Sequence, residues 1–112
     1  MARLDWAENC GYDVGGMPIV FCSLEIHLPH SHSLKEKRSV LRKAAERLRS
    51  RFNFSVSEID HQELWQRARL GAVTIGPDRK VLESVTDKFV RESERILGSG
   101  LVRYEIEIFE CD

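Results

Sequence analysis

The chain predicts an α+β domain in the order strand, helix, strand, strand, helix, strand. Three patterns in it point there. Apolar residues fall at every second position near both ends, in 19–28 and 102–108, as in strands with one buried face. Two stretches, 33–52 and 77–97, instead space their apolar residues three, four or seven apart, the helical period. Between the helices, two short strand-like runs are separated by a few polar residues, the spacing of a hairpin. With 112 residues, 42% apolar and 31% charged, there is material for one core and not for two.

Residues 1–16 have mixed charge, scattered aromatics (Trp6, Tyr12) and no sustained period, and they end in Gly15 and Gly16. They read as an extension, either a flexible arm or an upstream start, to a single domain over 17–112. In the first strand Val20, Cys22, Leu24, Ile26 and Leu28 alternate with Ser23, Glu25 and His27, and Pro29 closes it. A polar loop over 30–32 leads into the first helix, 33–52. Ser33 and Glu36 form a capping box there, with the Glu36 carboxylate expected to reach back to the Ser33 N–H. Leu34, Leu41 and Leu48 recur every seven residues, and Ala44, Ala45 and Phe52 fill the arc between them.

The second strand spans 54–59, with Phe54 and Val56 on one side and Ser55 and Ser57 on the other. The polar run 60–63 is its hairpin connection. The third strand, 65–75, is apolar on both faces toward its end, as a central strand is, and Gly71 marks a bulge or a close backbone approach. Gly76, Pro77 and Asp78 stop it, with Pro77 suited to a first helical turn. Val81, Leu82, Val85, Phe89 and Ile96 supply the stripe of the second helix, and Lys88, Arg91, Glu92 and Arg95 are expected in solvent. Residues 98–100, Gly-Ser-Gly, end that helix. In the last strand Val102, Tyr104, Ile106 and Ile108 alternate with Arg103, Glu105 and Glu107.

Two right-handed crossovers around one hairpin give the split-βαβ, ferredoxin-like plan, a four-stranded antiparallel sheet with both helices on one face. The other face stays uncovered. Its expected occupants are Phe21, Ser23, Glu25, His27, Arg67, Arg69, Arg103, Glu105 and Glu107, flanked by Val73, Ile75 and Phe109.

Charge is distributed unevenly. The chain has 17 Lys and Arg against 18 Asp and Glu, a net charge of −1, so whole-molecule steering of a polyanion is weak. Yet the first helix carries eight cations against Glu36 and Glu46. At 100° per residue Lys35, Arg38, Arg42 and Arg49 fall within an arc of roughly 60° on a ladder about 21 Å long. Lys37 and Lys43 widen that track. Such a basic edge is a candidate phosphate-binding surface, and Trp65 beside Arg67 is a candidate base-stacking pair. Stacking on the sheet itself is not expected, because 66–74 has no aromatic residue and the first strand offers only Phe21.

Other chemistries find less support. Cys10, Cys22 and Cys111 are widely spaced without a C-x-x-C pair, which argues against a zinc site or a disulfide framework and for a reducing compartment. No apolar run reaches the roughly 18 residues of a membrane span, and the N-terminus lacks the pattern of a signal peptide, so the expected location is the cytoplasm, with no membrane partner. His27, His30, His32 and His61, with Glu58 and Asp60, are candidate metal ligands, but a site needs three or four of them to converge, and no metal or other cofactor is expected. Asp60 and His61 are expected to serve the turn rather than acid-base chemistry, and no Ser or Cys stands in a nucleophile motif.

The combination of EIHLP (25–29), SLKEKR (33–38), RFNFSVSEIDHQELWQRA (51–68) and LGAV (70–73) resembles the YlxP-like family of small bacterial proteins, a domain of unknown function designated DUF503. The resemblance covers about 17–111; the extension 1–16 departs from it. It implies a ferredoxin-like fold with no established activity and no transferable catalytic residue. Members are often encoded beside translation initiation and ribosome-binding factors, which implies, by association, a place near the ribosome or RNA. The expectation is therefore a non-catalytic protein that binds RNA or a ribosomal particle through Lys35, Lys37, Arg38, Arg42, Lys43 and Arg49, with Trp65 and Arg67. The alternatives are a homodimeric interaction module using the open sheet face and, more weakly, a metal-dependent enzyme.

Overall fold

The structure is a computed structural model, and it describes residues 17–111. The expected extension, 1–16, lies outside the described residues. The elements are β1 (Met17–His27), α1 (Leu34–Arg51), β2 (Ser55–Asp60), β3 (Arg67–Ile75), α2 (Arg79–Leu97), a 3-10 turn (Gly98–Gly100) and β4 (Leu101–Cys111). The strands form one sheet in the order β2-β3-β1-β4 with every neighbouring pair antiparallel. This is the ferredoxin-like α+β fold.

Alternation in the strands decides which side each residue takes. Val20, Cys22, Leu24 and Ile26 of β1, Val56 of β2, and Ala68, Leu70 and Ala72 of β3 are buried under the helices. They meet Leu41, Ala45 and Leu48 of α1 and Phe89 and Val90 of α2. Phe54 stacks on Phe89 with ring centres 4.2 Å apart, and Phe52 meets the same ring edge-on at 5.6 Å. Full burial of a side chain of that size contributes roughly 1.5–3 kcal/mol. The segment joining α1 to β2 is thereby pinned to α2, and Thr74 Oγ1, donating to the Asn53 carbonyl at 2.7 Å, pins it to β3.

Several local expectations are corrected. Ser33 caps α1 by accepting from the Glu36 N–H at 3.1 Å, but the Glu36 carboxylate accepts from His32 N–H at 2.8 Å instead of from Ser33. Asp78, not Pro77, begins the second helix: its carboxylate accepts from the N–H groups of Lys80 and Val81, so Pro77 precedes the cap. Val81 lies off the buried stripe and is 55% exposed, while Val90 joins the core. Glu92 is buried rather than solvated, because it faces α1. It receives Arg95 from its own helix and Arg51 of α1 at 3.0 Å. The hydrogen bond from Arg95, and then the Arg51 charge, hold its carboxyl below the usual range. β3 starts two residues later than expected, leaving Trp65 and Gln66 in the connection.

Gly71 is a close approach, as the sequence suggests. A Cβ there would come within 3.0 Å of two Ile59 side-chain carbons and 3.3 Å of the Phe21 ring. The register irregularity is in the partner strand, between Glu58 and Asp60 of β2. Gly98 ends α2 with φ of 55°, a conformation glycine adopts without a Cβ penalty. β4 forms one edge of the sheet, and its helix-side residues are only partly covered: Val102, Tyr104 and Ile106 are all more than 40% exposed.

Cys22 sits wholly inside the core, and burial pushes its thiol from 9.0 up to about 11. A thiol whose folded pKa is raised binds its proton more tightly in the native state, so it favours folding below pH 9 and that contribution is lost between about pH 9 and 11. Chemical denaturation across that window should show a steeper loss of stability for the parent chain than for Cys22→Ala. Equal pH slopes for the two proteins would contradict the burial assigned to this thiol.

Candidate nucleic-acid interface

α1 packs on the sheet through Lys37, Leu41, Ala44, Ala45 and Leu48, and its remaining circumference faces outward. Lys35, Arg38, Arg42 and Lys43 are exposed there, and none has a carboxylate partner among the described residues. Lys35, Arg38 and Arg42 share the arc beside β2, and Lys43 lies on the outer flank. At the far end of the arc Arg49 is exposed, but its Nη2 donates to the Val56 carbonyl of β2 at 2.5 Å, so part of this guanidinium is committed to the edge strand. Arg51 is committed to Glu92.

Lys37 is not on this surface. It is completely buried, and its ammonium donates to the carbonyls of His61 at 2.5 Å and Leu64 at 2.7 Å. Glu58 Oε2 lies 2.9 Å away. That oxygen is buried with no aligned hydrogen bond, so the contact with Lys37 is ionic attraction with imperfect geometry. The helical wheel explains the position: residues 37, 41, 44 and 48 follow the i, i+4, i+7, i+11 spacing of one face, which puts Lys37 at the head of the apolar stripe. A buried ammonium is tolerated because two carbonyls and a carboxylate replace its water.

The segment that Lys37 holds is the β2–β3 connection. His61 in it has φ of 63°, a left-handed conformation that costs a non-glycine residue about 1–2 kcal/mol. It is held from several sides. Its N–H donates to Asp60 Oδ1 at 2.8 Å, its carbonyl accepts from Lys37, and its Nε2 lies 3.0 Å from Glu25 Oε1. Next to a carboxylate that accepts, Nε2 carries the proton and donates. Asp60 and His61 do serve the turn, as expected. The pairing of His61 with Glu25 was not expected.

Glu25 collects more than His61. Arg67 donates to the same oxygen at 3.1 Å, and Arg69 Nε lies 3.9 Å from the other oxygen while donating to Ser23 Oγ at 3.2 Å. With Arg103 and Glu105, these groups line a hollow on the open sheet face. Arg67 therefore lies on the face opposite the helices, paired with Glu25, and does not extend the α1 edge. Trp65 is 52% exposed in the connection, where it lines a second hollow with His27, Glu63, Leu64, Gln66 and Arg67. The sequence-predicted set is thus divided. Four cations form the exposed α1 surface, Arg49 is shared with β2, Lys37 is internal, and Trp65 and Arg67 stand at the end of the sheet. Among the described residues, no three His, Cys, Asp or Glu side chains gather as metal ligands; Glu58 lies under the helices and His61 reaches the opposite face.

Fold and surface together define a ferredoxin-like α+β protein with an open sheet face and a basic outer helix. The family model described as "Protein of unknown function (DUF503)" matches residues 19–107. Uncharacterized protein YlxP of Bacillus subtilis (strain 168) is 35% identical over 80 residues, covering 71% of this chain and 79% of that protein. The chain belongs to this YlxP-like, DUF503 family. Among solved structures it resembles the de novo designed protein Foldit4, with a TM-score of 0.56 at 10% identity, covering 86% of this chain and 99% of that one. A dimeric ferredoxin-like protein of unknown function from Thermobifida fusca gives 0.52 at 13% identity, covering 86% and 92%. At such identities the likeness concerns the fold alone.

Lys37→Met should lower unfolding stability by about 3–5 kcal/mol, the usual effect of removing one partner from a buried ionic contact. Adding Glu58→Leu should recover only part of that loss, because the carbonyls of His61 and Leu64 stay without a donor. Urea denaturation followed by circular dichroism measures both. A Lys37→Met protein as stable as the parent would contradict the buried geometry.

Proposed function

We propose that this protein is a non-catalytic, cytoplasmic binder of RNA or of a ribosomal particle, and that Lys35, Arg38, Arg42 and Lys43 on α1 supply the contact. The observation that carries this reading is that Lys35, Arg38, Arg42 and Lys43 are exposed on one helix without acid partners among the described residues, in a chain whose acids and bases nearly balance overall. An ammonium or guanidinium already held by a carboxylate gains little from a phosphate; these four have no such competitor. Arg49, with one nitrogen on Val56, adds a partial contact. Trp65 remains available for one stacked base, in the connection whose Leu64 carbonyl receives Lys37. In sequence-independent binding of this kind, affinity comes from phosphate neutralisation and depends on salt. No described helix is long and apolar enough to cross a membrane. The gene neighbourhood implied by the family resemblance agrees with a ribosomal partner.

Filter-binding titration of ribosomal RNA at two salt concentrations tests the reading. Each phosphate contact on a single strand should contribute about 0.7 to the slope of log affinity against log salt. Arg38→Glu with Arg42→Glu should weaken binding for all RNA sequences alike and flatten that slope by roughly 1.4. Unchanged affinity and slope would remove the proposal.

A further inference from the structure

The two edges of the sheet are built differently. β2 has six residues and a register shift between Glu58 and Asp60. The Arg49 guanidinium occupies one of its carbonyls. A short, irregular edge guarded by a charge resists pairing with another chain. β4 has eleven residues and no proline. The only irregularity in its pairing with β1 is near its start, opposite Glu25 and Ile26. No side chain among the described residues donates to its backbone. Its helix-side residues Val102, Tyr104 and Ile106 are 57%, 48% and 41% exposed. Ile106 and Tyr104 also line a groove against α2 with Thr86 and Val90. These are the features of a strand edge that is made to be covered.

We propose that the occupant is β4 of a second copy of this chain, paired antiparallel about a twofold axis perpendicular to the sheet. The order of side chains along β4 supports a second copy in particular. Residues directly opposite in such a pair share a face, so only registers that pair odd with odd and even with even positions keep the apolar face together. Centring the axis on Tyr104 sets Arg103 opposite the partner's Glu105 and Glu105 opposite the partner's Arg103. Val102 then faces the partner's Ile106, and the two Tyr104 rings meet at the axis. Both charges find opposite signs, and all three exposed apolar residues find apolar neighbours. The adjacent allowed registers fail: centring on Arg103 or on Glu105 puts like charges opposite, and centring on Ile106 sets Glu105 against the partner's Glu107.

In the single chain the Arg103 guanidinium is in contact with Glu105, two residues along the same face. Pairing across the axis exchanges that contact for its counterpart in the second copy. The product is an eight-stranded antiparallel sheet with four helices on one face. The two β2 edges, with their α1 helices, then lie at opposite ends, separated by seven strand spacings or roughly 34 Å. The α1 cations remain free, so this dimer stands or falls independently of the RNA reading.

Sedimentation equilibrium on the full chain provides the test. The parent should reach twice the 12.9 kDa chain mass. Arg103→Glu alone and Glu105→Arg alone should each raise the dimer dissociation constant about tenfold or more, because like charges then face each other across the axis. The double exchange, Arg103→Glu with Glu105→Arg, should restore dimerisation. An equimolar mixture of the two single variants should form heterodimers, in which every facing pair is again of opposite sign. Arg103 is exposed and Glu105 half-exposed on the strand, so circular dichroism should show each variant folded. A parent that stays at 12.9 kDa at its highest soluble concentration overturns the proposal. A dimer indifferent to these exchanges also overturns it and points to another contact, such as the apolar end of the open face around Phe21 and Val73.

Discussion

The buried ammonium of Lys37 is the interaction on which the rest of this structure depends. Three parts of the chain meet at it: α1 carries it, β2 brings Glu58, and the connection into β3 brings the carbonyls of His61 and Leu64. A helix lying on a sheet through apolar residues alone could slide or rotate by small steps with little cost. An ammonium with two short hydrogen bonds to particular carbonyls fixes both the rotation of α1 and the path of the connection. His61 can then hold a left-handed backbone, because its carbonyl is anchored from the helix side and its ring from the sheet side by Glu25.

That arrangement couples the two faces of the sheet through a single residue. Glu58 and Lys37 lie under the helices, whereas Glu25, Arg67 and Arg69 lie on the open face, and His61 touches both sets. The open face is accordingly divided. One end is a network of charges already paired within the chain, and the other is apolar, with Phe21, Val73, Ile75 and Phe109. Most of the described cations without an acid partner lie on α1, with Lys80 and Lys88 on α2. The rotation of α1 turns the arc holding Lys35, Arg38 and Arg42 away from the core and toward the rim beside β2, so the internal lysine determines where the external ones point.

The fold was legible because one-dimensional periods report it directly. Alternation in β1 and β3, the heptad spacing of Leu34, Leu41 and Leu48, and the Gly-Ser-Gly stop after α2 each depend on local geometry. The errors lie where a local rule was overridden by tertiary contact. Glu92 looks like a solvent residue until Arg51 on another helix reaches it. Tyr104 and Ile106 look like core residues until β4 proves to be an edge. The candidate surface was legible only in part, because counting cations does not separate those that face water from those that replace it. Lys37 was the instructive case. Its position four residues before Leu41 and seven before Ala44 was a readable sign of burial, outweighed in the sequence by its charge. The meeting of Glu25 and His61, 36 residues apart, left no periodic trace in the sequence.

The most direct measurement of this account is heteronuclear NMR of the lysine side-chain ammonium groups in the folded protein. A hydrated surface ammonium exchanges its protons with water too quickly to give a sharp signal near neutral pH. Lys37 should stand apart as a slowly exchanging Nζ resonance, with scalar couplings across hydrogen bonds to the carbonyl carbons of His61 and Leu64. A spectrum in which Lys37 exchanges as fast as Lys35 and Lys43, with no coupling to either carbonyl, would contradict the anchoring of α1 to the β2–β3 connection.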